Sequence, residues 1–202
     1  MNVFYNRQGI GDTLILALGD VSQEDRSFEK KGDVVRIYDQ KTRQTVGYNL
    51  FNASTYGEID GHGPIEATDE ILNLIHTIFD ENGVEEKLQA DLSPKFVVGF
   101  VEEKEKHPNA DKLSVCQVNV GDQTLQIVCG APNVEAGQKV VVALEGAVMP
   151  SGLVIKKTVL RGVDSTGMIC SAKELNLANA PQEKGILVLE EDRVIGEAFL
   201  LN

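Results

Sequence analysis

The segment from Lys95 to Leu160 sets the tightest limit on the fold. It holds five short runs rich in β-branched residues: Lys95 to Glu102, Leu113 to Val120, Thr124 to Cys129, Val140 to Leu144 and Val154 to Leu160. Polar turns at Gly121-Asp122, Ala136-Gly137 and Pro150-Ser151-Gly152 separate them. Val, Ile and Thr are stiff at χ1 and pack well on a pleated surface, whereas Gly and Pro interrupt a strand. Five strands this short predict a small all-β body, with Ile186 to Leu189 and Ala198 to Leu200 as closing or edge elements.

The preceding residues read differently. Asn2 to Tyr5 and Thr13 to Leu18 are short apolar runs, and Asp33 to Tyr38 and Thr45 to Phe51 flank the polar turn at 39–43. Together they suggest a small antiparallel sheet. From Asp69 to Phe79, the residues Ile71, Leu74, Ile75, Ile78 and Phe79 recur at helical spacing. Thr68 suits the N-cap, Asp69 and Glu70 suit the positive end of the helix dipole, and Asn82-Gly83 supply a stop. The expected architecture therefore has two domains. Residues 1–91 form an α+β domain with an antiparallel sheet and one main helix, and residues 92–202 form an all-β barrel of the five-stranded Greek-key OB type.

Charge divides along the same line. The whole chain carries a net −12, which argues against simple phosphate binding, since nucleic-acid binders usually present basic surfaces. Residues 1–91 account for −9 (8 Lys/Arg against 17 Asp/Glu) and the remainder for only −3 (11 against 14). Within 104–173 the balance turns to +2, with 8 basic and 6 acidic residues. No stretch approaches the roughly 18 apolar residues of a membrane span, and the N-terminus lacks a signal-peptide pattern, so a cytoplasmic protein with no membrane partner is expected. Cys116, Cys129 and Cys170 are well separated, with no C-x-x-C pair, and read as buried free thiols without a metal.

Three motifs lie in the positively balanced stretch: H-P-N-A-D-K-L from His107, I-V-C-G-A-P-N-V-E-A-G from Ile127, and I-K-K-T-V-L-R-G-V-D-S-T-G-M-I-C-S from Ile155. In this order they resemble the tRNA-binding module of the bacterial phenylalanyl-tRNA synthetase beta subunit. The domain order as a whole resembles the YtpR-like stand-alone tRNA-binding proteins of bacteria. That resemblance implies non-covalent tRNA binding by an OB-fold, with no catalysis and no cofactor. It also implies a homodimer as an expected state, because related stand-alone modules pair.

Candidate contacts follow from residue chemistry and from the motifs. Lys156, Lys157 and Arg161 are the best phosphate contacts, Arg161 through a bidentate fork. The same lysines also suit a solvated edge strand. Gly162 and Gly167 bracket a loop able to take positive φ. In it and just beyond, Ser165 and Ser171 offer hydroxyls, while Met168 suits either a base contact or barrel packing. Asn109 and Lys112 are contact candidates in the first motif, and Asn133 either binds RNA or holds its loop. His107 reads as a surface histidine able to add charge below about pH 6.5. Residues 101–198 contain no Phe, Tyr or Trp, which removes a base-stacking platform unless Phe96 or Phe100 is exposed. Recognition by backbone and shape is therefore expected.

No nucleophile, base and orienting residue assemble from the sequence, and Gly9-Ile10-Gly11-Asp12 lacks the third glycine and following helix of a dinucleotide site. The chain is read as a non-enzyme. The rival reading is a protein-interaction scaffold in which the OB-fold meets a basic protein partner.

Overall fold

The computed structural model describes every residue except Ala90, Gln182 and Asn202. It divides into two compact units, Met1–Ser93 and Pro94–Asn202.

The first unit runs β1 (Asn2–Tyr5), a one-turn helix α1 (Arg7–Ile10), β2 (Thr13–Ala17), β3 (Arg26–Lys31), β4 (Val34–Asp39), β5 (Thr45–Phe51), β6 (Gly63–Ile65) and α2 (Asp69–Glu81). The six strands form one antiparallel sheet in the order β3-β4-β5-β2-β1-β6. Alternation sends Val3, Tyr5, Leu14, Leu16, Val34, Tyr48 and Leu50 to one face. There they pack with Leu74, Ile75, Ile78 and Phe79 of α2. Thr68 caps α2 by accepting from the Ile71 N–H at 3.3 Å, and Gly83 ends it with φ +67°. Strands β3 and β6 were not expected. Of the six residues of β3 four are charged, so no buried face announces it, and β6 has three residues, one of them Pro64.

The second unit contains β7 (Phe96–Lys106), β8 (Ser114–Asn119), β9 (Thr124–Cys129), β10 (Lys139–Ala143), β11 (Thr158–Leu160), β12 (Val163–Ser165), β13 (Met168–Ile169) and β14 (Val188–Leu189). The main sheet has the order β13-β10-β7-β8-β9, with β14 also on β10. Between β12 and β13, the Thr166 N–H donates to the Gln126 carbonyl of β9 at 2.8 Å. Val101, Cys116, Val118, Ile127, Val140 and Val142 form one core of this unit, and Val141, Met149, Cys170 and Leu175 a second.

The strand expected over Val154–Leu160 is corrected. Val154 makes only an isolated bridge to Val148, and regular pairing begins at Thr158, where β11 joins β12 in a separate hairpin. Gly152 at φ +86° turns the chain, and Ile155 drops into the core while Lys156 and Lys157 stay in solvent. Strand β7 runs past its expected end at Glu102 to Lys106 through a register shift between Val101 and Glu103.

Candidate nucleic-acid interface

A groove of about 1050 Å³ opens on the second unit beside β9 and β13. Ile155, Ile169 and Leu187 contribute apolar surface, and Asn133, Ser165, Met168 and Ser171 also line it. Lys156, Lys173 and Lys184 bring positive charge to it, against Glu174 and Glu183. Gly130 and Ala131 are shared with a smaller groove of about 510 Å³ lined by Lys104, Lys106 and Lys112. The turn at 130–131 thus separates two lysine-bearing concavities. Sequence reasoning missed Lys173 and Lys184, which stand outside any phosphate-binding pattern and reach the groove only through the fold.

The first motif does not lie where a surface reading puts it. His107 is only 2% exposed. Its Nδ1 accepts the Asn109 N–H at 3.0 Å, so its Nε2 carries the ring proton and donates to the Leu160 carbonyl at 3.0 Å. Asn109 Nδ2 donates to the Arg161 carbonyl at 3.1 Å. Two side chains from the β7–β8 loop therefore hold the β11–β12 turn. Arg161 sits at that turn with φ +51°, a left-handed conformation that costs a non-glycine residue about 1–2 kcal/mol. Gly162 and Gly167 take φ +87° and +101° without that cost.

Three other candidates have their polar groups engaged within the protein. Ser165 is 2% exposed, and its Oγ accepts the Val128 N–H at 3.0 Å. Asn133 grips one residue from both sides, with Oδ1 accepting from the Ile186 N–H at 2.8 Å and Nδ2 donating to the Ile186 carbonyl at 3.1 Å. Ser171 and Glu174 exchange hydrogen bonds in the manner of a capping box: the Ser171 N–H and Oγ donate to Glu174 Oε2 at 2.8 and 2.6 Å, and the Glu174 N–H donates to Ser171 Oγ at 3.2 Å.

Lys112, Lys156, Lys157 and Arg161 are all exposed. Lys157 lies 3.7 Å from Asp164 across the hairpin, both largely in solvent, a pair worth at most about 1 kcal/mol and readily exchanged for a phosphate. Lys106 likewise pairs with Asp111 at 2.9 Å and Lys104 with Glu135 at 2.9 Å. Met168 is half-buried, packed against the core around Val141 and also facing the groove. Phe96 and Phe100 are half-buried, and Phe96 packs on that same core.

The cysteines are all buried and free. Burial pushes the Cys116 thiol up to about 11 and Cys170 up to about 12, and raises Cys129 as well. At neutral pH they are protonated and enclosed, so they are not poised as nucleophiles. Among the described residues no group of three or more His, Cys, Asp or Glu could hold a metal, and no helix is long and apolar enough to cross a membrane.

Comparison with known proteins assigns both units. Residues 96–198 match the family described as "Putative tRNA binding domain", and residues 21–91 match "Domain of unknown function (DUF4479)". The "Putative tRNA-binding protein YtpR" of Bacillus subtilis (strain 168) is 64% identical over 199 residues, covering 98% of this chain and 99% of its own. The chain belongs to the YtpR family. Members of a second group match about half to two thirds of the chain. The phenylalanine–tRNA ligase beta subunit of Campylobacter jejuni (strain RM1221) is 50% identical over 127 residues, which is 62% of this chain and 16% of the subunit. That of Oceanobacillus iheyensis is 56% identical over 110 residues, 52% of this chain and 14% of the subunit. The YtpR-family chain thus shares with the ligase a module and not the bulk of an enzyme.

Proposed function

We propose that this YtpR-family chain binds tRNA non-covalently, without catalysis or cofactor, through an OB-type barrel formed by Pro94–Asn202. The observation that carries this reading is the groove beside β9 and β13. It is lined by Lys156, Lys173 and Lys184 and lies beside the exposed segment carrying Lys157 and Arg161, inside the segment matching the tRNA-binding family. Lys112, Lys156, Lys157, Arg161, Lys173 and Lys184 supply phosphate contacts, and Met168 offers an adaptable apolar surface to a ribose or base. His107, Asn109, Asn133, Ser165 and Ser171 act by shaping the loops that present them, because each already has a side-chain hydrogen bond within the protein. Lacking an exposed aromatic platform, the surface suits the backbone and shape of a folded RNA. Such work belongs in the cytoplasm.

Fluorescence anisotropy of labelled bulk tRNA tests the reading. Three or four of these six contacts made at once give a shallow log–log salt slope of about −2 to −3.5. The triple variant Lys156→Ala, Lys157→Ala, Arg161→Ala should lose most of the binding and flatten the slope by about 1 for each phosphate contact removed. Absence of tRNA binding at low salt would overturn the proposal in favour of a protein-interaction module.

A further inference from the structure

The sheet of the first unit is covered by α2 on one face only, and the strand registers define what the opposite face presents. One row across the sheet reads Lys30, Val35, Asn49, Ile15, Phe4, Pro64, and the next reads Phe28, Ile37, Gly47, Ala17, Asn2. None of these residues packs against the α2 core. Phe28 is 71% exposed, and Lys30 lies 5.6 Å from the ring centroid of Phe51 on this same face. In a unit with a strong acidic excess, the charged strand residues on this face are Arg26, Lys30 and Asp39, and Arg26 stands directly across from Asp39. The face is apolar and nearly neutral, a poor match for nucleic acid or for a strongly charged protein.

We infer that this face is the contact between two copies of the chain. Consider a two-fold axis parallel to β5, the middle strand of β3-β4-β5-β2-β1, with the sheets face to face about 10 Å apart. It sets β3 over the partner's β1 and β4 over its β2. Phe28 then meets Asn2, Ile37 meets Ala17, Val35 meets Ile15 and Lys30 meets the ring of Phe4. The bulky half of each row falls on the small or apolar half of its copy, and no like charges oppose. An isologous contact of this kind closes at two subunits. The face measures about 25 by 20 Å from strand spacing and length, roughly 500 Å² in projection, against about 800 Å² per partner in a standard complex. The contact is smaller than that of a standard complex, so a weak, concentration-dependent dimer is expected. Because the unit bearing this contact is acidic, salt strengthens it by screening the repulsion between copies.

This inference stands apart from tRNA binding and is tested without RNA. Sedimentation velocity of the full chain from about 1 to about 200 µM brackets micromolar association. The expected result is a concentration-dependent shift from monomer to dimer that tightens with salt. Phe28→Glu should weaken it at least tenfold, and Phe28→Ser, which removes the ring without adding charge, should weaken it as well. Val159→Glu, at a comparably solvent-exposed position in the other unit, should leave it unchanged. A monomer at every concentration, a dimer indifferent to both Phe28 variants, or a dimer lost in Val159→Glu would each overturn the inference.

Discussion

Arg161 shows how a single residue is made useful by its neighbours. A non-glycine residue in the left-handed region relaxes unless something holds it, and here the Arg161 carbonyl accepts from Asn109 while the preceding carbonyl accepts from His107. The Arg161 backbone is thereby held at the hairpin tip, with the side chain in solvent. Asn109 acts through Arg161, so the two should not be additive. Asn109→Ala removes one hydrogen bond of about 0.5–1.5 kcal/mol and should weaken tRNA binding by about 2- to 10-fold. In an Arg161→Ala background the same change should have no further effect on affinity. Two independent losses measured by anisotropy would show that Asn109 touches RNA itself.

At the scale of elements, the hairpin β11–β12 is the part built least like a core. All three residues of β11 are exposed, and among the described residues the two strands pair only with each other. Its ties to the main sheet and the β7–β8 loop include the Asn109 and His107 bonds, the Ser165 bond to Val128 and the Gln126 Nε2 bond to the Asp164 carbonyl at 2.8 Å. Segments with few buried apolar contacts open locally at low cost. Hydrogen exchange should therefore be faster in the hairpin than in the β7–β8 ladder, and tRNA should slow it. If tRNA protects other segments while the hairpin is unaffected, the hairpin does not grip RNA. This same element marks where sequence reading stops. Helix α2, β5 and β9 were legible because apolar periodicity and their flanking turns agree. The segment Val154–Leu160 reads as one strand because β-branched residues recur along it, yet regular pairing starts only at Thr158, after Ile155 turns into the core. The groove's lysines illustrate the same limit: Lys156 was visible in a motif, but Lys173 and Lys184 join it only through long-range folding.

For the whole molecule, the unequal division of charge has a consequence that salt can reveal. An acidic unit of net −9 is covalently joined to a module of net −3 whose proposed ligand is a polyanion. At low ionic strength the Debye length is about 30 Å at 0.01 M, long enough for the first unit to repel RNA bound on the second. At about 0.3 M it falls to about 6 Å and the repulsion is largely screened. Removing residues 1–93 should thus tighten tRNA binding at low salt and steepen its salt dependence, with the two affinities converging as salt rises. Pairing through the first unit works in the opposite direction, because two modules on one RNA gain avidity. The proper reference is therefore the full-length Phe28→Ser variant, expected to be chiefly monomeric and unchanged in net charge. Against it, the 94–202 fragment should bind more tightly at low salt and equally at high salt. An equal affinity throughout would show that the acidic unit exerts no electrostatic brake, and weaker binding by the fragment would mean that the first unit contributes contacts of its own.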